Sequence, residues 1–407
     1  MNKYDVAIIG AGPAGIMAAI SAKQSGASVV LIEKNPAVGR KILATGNGRC
    51  NITNKLAKVE NYHGSNPEFI NLVLSNFDQH KTIQFFEHLG LILKEEDRGR
   101  MFPRTNQATS VVDILSHELD RLNVEVKLDS EVKRIENKLG WEISLLDGSV
   151  INCDNLILTT GGKAAHQFGS SGDGLFWAKN LGLGAEDTYA ALVPMETKET
   201  WVKEVQGLKA EAQASFFVDE EPVSQKSGDL IFTHYGVSGP AIMSQARVVA
   251  PFVSNKSVSV KLDFVKEKSE KELDGVISSI FNSSGHKSVK NALVGMVPAN
   301  LIPIILKESE IDEIKKVAEI SKEQRAKIVN NLKALTLNIS KLRPFKEAQV
   351  TRGGISTDEI NPQTLESKKI KNLYFAGEIM DVDGDSGGYN LQWAWSSGHL
   401  AGESAAK

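Results

Sequence analysis

The chain is predicted to be an α/β protein: a Rossmann-like domain interrupted by a small β-barrel-like domain and a small helical domain. Three observations predict this. Residues 4–34 read as a strand, a G-x-G-x-x-G turn, a helix, and a second strand ending on an acid. From about residue 190 to 345 the pattern changes, first to short alternating segments and then to Lys, Glu, Leu and Ile at helical spacing. Beyond 345 short strands and glycine pairs return. The expected division is 1–190 with 345–407, a barrel-like part 191–265 with 336–344, and a helical part 266–335.

Bulk properties narrow the class. A chain of 407 residues can bury a sizeable core, and 41% hydrophobic with 24% charged residues argues against disorder. A net charge of −3 with no long basic run gives nucleic acid and anionic membranes no electrostatic support as partners. No apolar run approaches the roughly 18 residues of a membrane span. The first strand starts so close to Met1 that no room is left for a signal peptide. Two cysteines, Cys50 and Cys153, without a CxxC pair, argue against a disulfide framework, a zinc site or a redox dithiol. The expectation is a cytoplasmic protein acting on a small molecule, with no metal and no nucleic-acid partner. Oligomeric state is not legible.

The first unit, YDVAIIGAGPAGIMAAISA, carries the first site residues. Gly10 makes the tight turn, Gly12 lets a pyrophosphate approach the helix N-terminus, and Gly15 lets the helix pack on the sheet. Ala11, Pro13 and Ala14 complete the turn. Glu33 stands 21 residues after Gly12, where a carboxylate can bind ribose hydroxyls, and Lys34 follows it. This motif alone permits NAD, NADP or FAD.

Residues 35–54 read as a polar, glycine-rich loop. Arg40 and Lys41 could offset pyrophosphate charge. The stretch Thr45, Gly46, Asn47, Gly48, Arg49, Cys50, Asn51 could cradle a phosphate or a ring edge with its backbone N–H groups and one cation. Cys50 is read as packing rather than as a reactive thiol. Residues 66–89 and 105–122 have helical spacing, and 124–152 alternates as strands, with Val132 counted among the cofactor contacts. NLILTTGG (155–162) is a buried strand running into Gly161 and Gly162, with Thr160 before them. In the following GSSGDG turn, Asp173 is either a helix cap or an anion or ribose contact.

Near the C-terminus, NLYFAGEIMD (372–381) is an apolar strand ending on Gly377 and Glu378, with Asp381 after it. Acids at such a strand end suit a polyhydroxyl chain. FAD has one in its ribitol; NAD does not. In DSGGYNLQ (385–392), Gly388, Tyr389, Asn390 and Leu391 resemble a stretch of related flavoproteins that leads a helix facing the flavin pyrimidine edge; the resemblance implies that N-terminal N–H groups there stabilise charge on that edge. Trp393 and Trp395 are read as packing.

These segments together resemble the flavoproteins with two dinucleotide-binding domains. More closely, TGNGRCNITN, TGGKAAHQFGSSGDG, FTHYGVSGPAI, VTRGGISTDEI and GGYNLQWAWSSG resemble the aminoacetone-oxidase-like, or BaiN-like, NAD(P)/FAD-dependent bacterial flavoproteins. The resemblance spans residues 4–398. It implies an FAD domain interrupted by barrel-like and helical domains. It also implies an FAD-dependent oxidoreductase moving hydride through flavin N5 between NAD(P)H and a small organic substrate, with a conjugated enone the nearest class. Arg352 and His234 are the catalytic residues it suggests, His234 in a loop capping the flavin. No second strand–GxGxxG–helix unit is visible, so NAD(P)H is expected as a transient co-substrate. Two alternatives stay open: a flavoprotein with an RNA-binding or sensor role, and an oxygen-using amine oxidase.

Overall fold

A computed structural model describes residues 3–407. The chain divides into two compact units, 3–189 with Gln349–Lys407, and Ala190–Ala348.

The first unit is built on a seven-stranded sheet. Its elements are β1 (Lys3–Ile9), α1 (Pro13–Gln24), β2 (Val29–Ile32), β3 (Glu125–Lys127), β4 (Val132–Asn137), β5 (Trp141–Leu145), β6 (Val150–Leu158) and β7 (Leu373–Phe375). The C-terminal helix α2 covers Tyr389–Ala405. The parallel strands run in the order β3-β2-β1-β6-β7, and the first half of β6 also pairs antiparallel with β5, which pairs with β4. β2 reads VVLI and every residue is buried, as expected for a parallel strand covered on both faces. The end of the alternating stretch 124–152 and the start of the segment 155–162 share one long strand, β6.

Helix α1 is buried nearly all round because α2 lies against it. Two glycines of α2 permit that approach. A Cβ at Gly398 would fall 2.4 Å from the Ala14 carbonyl oxygen, and one at Gly402 would fall 2.3 Å from that of Ala18. The amphipathic stretch 66–89 is two helices, Pro67–Asn76 and Gln79–His88. Asp78 breaks it: its carboxylate accepts the Lys81 N–H and caps the second helix. The 105–122 pattern forms Ala108–Arg121, burying Val111, Leu115 and Leu119. The stretch read as loop at 35–54 contains a short helix, Arg40–Ala44, and a 3-10 turn, Thr45–Gly48.

The second unit contains a closed six-stranded barrel. In spatial order its strands are Met195–Thr197, Gly236–Ser238, Glu221–Phe232, Lys209–Val218, Val258–Asp263 and Leu335–Leu342. Alternate residues of Lys209–Val218 point inward, from Ala210 to Phe216 and Val218. The helices between the last two strands include Glu270–Ser283 and Lys322–Ala334, each opened by a capping box, Ser269/Glu272 and Ser321/Gln324. Arg325 forks onto Asp274 at 2.7 and 3.1 Å and ties these two helices together. Among the described residues no helix is long and apolar enough to cross a membrane.

Candidate functional site

The site is built from three loop clusters of the first unit. The first lies at the end of β1. Gly10 has φ +104°, and a Cβ there would sit 2.7 Å from the Thr159 carbonyl oxygen. A Cβ on Gly15 would sit 1.9 Å from the Gly10 carbonyl oxygen. Both glycines are therefore demanded by the protein itself. Gly12 is different: a Cβ there would meet no protein atom within 4 Å. It precedes α1 and no side chain caps that helix. The turn thus presents bare backbone and helix N–H groups outward, a cradle that fits a dinucleotide pyrophosphate.

Glu33 is buried at the end of β2. Its Oε2 accepts the Ala11 N–H at 2.8 Å, and its Oε1 accepts Asn35 N–H and Nδ2 at 2.9 and 2.5 Å. The carboxylate is thereby fixed against the turn. Arg40 donates to Asn35 Oδ1 at 2.5 Å and so braces Glu33 from behind. Lys34 reaches Asp173 at 2.9 Å and Ser171 Oγ at 2.5 Å. Burial opposes ionisation of Asp173, but the hydrogen bonds from Ser171 and Lys34 and the lysine charge hold its carboxyl below the usual range. Asp173 opens the helix Asp173–Asn180 without capping it through its side chain. Val132 begins β4, and just before it the Ser130 N–H donates to the Glu33 carbonyl at 2.9 Å.

The second cluster follows β6 and β7. Thr159 Oγ1 donates to the carbonyls of Ile9 and Gly10 at 2.9 and 2.7 Å, joining the ends of β6 and β1. Beside it Thr160 Oγ1 is buried, with no hydrogen-bond partner among the described residues. Gly161 has φ +72°, and a Cβ on Gly162 would fall 2.3 Å from Thr351 Oγ1. That hydroxyl accepts the N–H groups of Lys163 and Ala164 at 2.8 and 2.9 Å. Glu378 Oε1 accepts the Thr351 N–H at 2.9 Å, while Oε2 takes Lys41 Nζ at 2.7 Å. Gly377, at φ +80°, donates its N–H to Ser397 Oγ at 2.9 Å. Buried Asp381 accepts the Ser65 N–H at 3.3 Å.

The third cluster is the 45–51 loop at the N-terminus of α2. Gly46, Asn47, Gly48 and Cys50 all have positive φ, between 56° and 80°. Thr45 Oγ1 donates to the Ile42 carbonyl at 2.7 Å. Arg49 does not face outward as a free cation. It bonds both oxygens of Glu96 at 2.9 and 3.1 Å and lies 4.1 Å over the Phe102 ring. Burial pushes the Cys50 thiol up to about 12, against a hydrogen bond with Thr45, so it is no thiolate nucleophile. Asn51 is buried, and its Oδ1 has no hydrogen-bond partner among the described residues. Gly388, at φ +100°, leads α2; a Cβ there would fall 2.6 Å from the Thr53 carbonyl oxygen and 3.1 Å from Asn51 Oδ1. Tyr389 packs edge-on against Tyr62. Asn390 is spent on structure, with its amide bonded to the N–H and carbonyl of Gly384 at 2.8 Å each. Leu391, Trp393 and Trp395 are buried, and the two indoles donate to the carbonyls of Gly377 and Ile52.

Arg352 ends the strand Val350–Arg352 with its guanidinium 5.8 Å from the Tyr189 ring centroid. His234 belongs to the second unit. It is exposed in the turn after Glu221–Phe232 and stacks edge-on against Tyr235 at 4.8 Å. Sequence reasoning missed Thr351, which organises the second cluster. It also missed the His63 Nε2–Asp385 Oδ1 pair at 2.9 Å and buried Gln392, whose amide bonds Thr53, Phe77 and Ser396. The one signal for Gln392 in the sequence is a polar residue set between Leu391 and Trp393.

Comparison with known proteins places this geometry. The model of the HI0933-like protein Rossmann domain matches residues 4–404. The chain is 35% identical, over 100% of both chains, to the 3-dehydro-bile acid delta(4,6)-reductase of Clostridium scindens. It is 32% identical to the ribosomal RNA dihydrouridine synthase of Escherichia coli, over 98% of this chain and 96% of that one. In fold it is similar to the 3-ketosteroid delta1-dehydrogenase of Sterolibacterium denitrificans, with TM-score 0.52, 12% identity and 100% of each chain covered. The Rossmann nucleotide-binding unit, its glycine cradle and the full-length matches make this chain a member of the HI0933-like family of flavoproteins, with the fold of flavoprotein oxidoreductases.

Proposed function

We propose that this chain is an FAD-dependent oxidoreductase that reduces a C=C bond conjugated to a carbonyl. The observation that carries the cofactor half is Gly12, the one glycine of the turn whose missing side chain no protein atom requires. Glu33 beside it is set to receive ribose hydroxyls, and the bare N-terminus of α1 to receive pyrophosphate. Glu378 and Asp381 would face the ribitol, and the N-terminus of α2 the pyrimidine edge. Bound FAD would supply hydride-transfer chemistry. With no second GxGxxG unit in the sequence, NAD(P)H would bind transiently as the donor.

The reaction half rests on the relatives. A delta(4,6)-reductase of a 3-dehydro-bile acid and a dihydrouridine synthase are both named for adding hydrogen across a C=C bond conjugated to a carbonyl. On this reading Arg352 holds the substrate carbonyl oxygen, and the His63–Asp385 pair can hold a proton at His63 Nε2. His234 rests on the family resemblance alone.

A second reading concerns the substrate. The match to a ribosomal RNA dihydrouridine synthase brings RNA back as a partner, although the net charge of −3 argues against broad phosphate binding. A protein that reads one base needs no long basic tract. The test is anaerobic: reduce the flavin with NADPH, then offer a conjugated 3-oxo steroid or ribosomal RNA lacking dihydrouridine. Reoxidation by the steroid with loss of its conjugated absorbance supports the first substrate; a two-hydrogen mass gain in uridine supports the second. Reoxidation by neither would sink the conjugated-reductase reading.

A further inference from the structure

The third cluster contains a buried polar atom that the fold leaves without a partner. Asn51 is 9% exposed, and its Oδ1 makes no hydrogen bond among the described residues. Its backbone is not free to relieve this. Cys50, at φ +59°, turns the chain inward immediately before it. The next residue, Ile52, donates its N–H to the Met101 carbonyl at 2.9 Å and accepts the Trp395 indole N–H at 3.0 Å. Thr53 Oγ1 then bonds Gln392 Oε1 at 2.5 Å, holding the segment against α2.

The unpaired oxygen is aimed at the N-terminus of α2. A Cβ on Gly388 would lie 3.1 Å from it. No side chain caps that 17-residue helix, and its first intrahelical bond is Gln392 N–H to Gly388 carbonyl at 3.0 Å. One place therefore offers a lone acceptor beside several uncommitted N–H donors. A buried acceptor of this kind requires a donor, and the helix end requires acceptors. A planar imide edge, carbonyl–N–H–carbonyl, has that complement. Two molecules of the proposed reaction carry it: the pyrimidine ring of a flavin and a uracil base.

We infer that Asn51 Oδ1 accepts the N3–H of the flavin while the N-terminus of α2 takes the adjacent carbonyl. The flavin is the better match because a buried acceptor needs a donor that is always present, and a resident cofactor supplies one where a visiting base does not. A Cβ on Gly46 would lie 2.9 Å from the Asn51 nitrogen, so the loop already wraps this residue tightly. Asn51 is thus a positioning residue for the ring. This rests on the FAD reading above.

The test compares FAD with N3-methyl-FAD, which lacks the donor, by fluorescence titration of the full-length apoprotein. Wild type should bind FAD about five- to tenfold more tightly, the worth of one buried hydrogen bond. Asn51→Ala should abolish that preference, and Asn51→Asp, which keeps an acceptor, should retain one. Equal affinity of wild type for the two flavins overturns the inference even if Asn51→Ala fails to fold, as does an unchanged preference in a folded Asn51→Ala. If Asn51→Ala instead keeps the flavin preference and raises KM for ribosomal RNA, the oxygen reads uracil and the flavin assignment falls. Failure of wild type to bind FAD at all would defeat the FAD reading itself.

Discussion

Lys41 Nζ stands 2.7 Å from Glu378 Oε2, joining the short helix Arg40–Ala44 to the turn after β7. The two side chains are 22% and 20% exposed, so the pair is neither screened like a surface bridge nor fully desolvated. The other Glu378 oxygen fixes the Thr351 N–H, and Thr351 in turn holds the backbone at Lys163 and Ala164. Replacing Lys41 by Met should cost about 1–2 kcal/mol, since a part-buried carboxylate loses its cation. Urea denaturation measures this. A Lys41→Met chain as stable as wild type would mean the pair contributes nothing.

The glycines of the first turn should separate folding from binding. Gly15→Ala drives a Cβ into the Gly10 carbonyl and should destabilise the apoprotein strongly. Gly12→Ala meets no protein atom and, at the N-cap of α1, should change apoprotein stability by no more than about 1 kcal/mol. It should nonetheless weaken FAD binding by about tenfold or more, because its methyl group enters the space of the pyrophosphate. Thermal melts and FAD titration check both. FAD binding undiminished in Gly12→Ala would contradict the cradle.

Two other glycines should respond in opposite directions. Gly275 lies within the helix Glu270–Ser283 with open space around it, so Gly275→Ala should stabilise by about 0.5–1 kcal/mol. Gly398→Ala places a Cβ 2.4 Å from the Ala14 carbonyl and should cost about 1–3 kcal/mol by forcing α1 and α2 apart. Equilibrium unfolding of both variants provides the comparison.

Stability should fall in alkali. Burial raises the thiols of Cys50 and Cys153 from 9.0 to about 12, and the phenols of Tyr4 and Tyr374 from 10.0 to about 12. Unfolded, these groups lose their protons first. The stability tied to their protonated forms is full below about pH 9 and is lost as pH rises toward about 12. The urea midpoint should drop between about pH 8 and about pH 10, and both thiols should resist labelling in the native protein at the lower pH. Equal midpoints would refute this.

The sequence made local periodicity legible and long-range partnership illegible. The first βαβ unit could be read because its strand, turn, helix and acid lie within 31 residues, 4–34. The barrel could be read because its strands alternate. Partners far apart in the chain could not be read. Lys34 reads in the sequence as a neighbour of Glu33, and its ion pair with Asp173, 139 residues on, has no local signal. Arg49 looks like a free cation until Glu96 and Phe102 claim it. Gly398 and Gly402 look like surface glycines of a terminal helix, because nothing local announces that Ala14 and Ala18 press against them. The break at Asp78 is hidden in the sequence by the apolar spacing that runs through it.

A resident FAD that serves reduction of a conjugated C=C bond would show itself in anaerobic stopped-flow absorbance of the purified flavin-loaded chain. The flavin band should bleach on mixing with NADPH, then return on mixing with a conjugated enone or uridine-containing ribosomal RNA but not with the saturated counterpart. A chain that takes up no FAD, or a reduced flavin that returns only with oxygen, would contradict it.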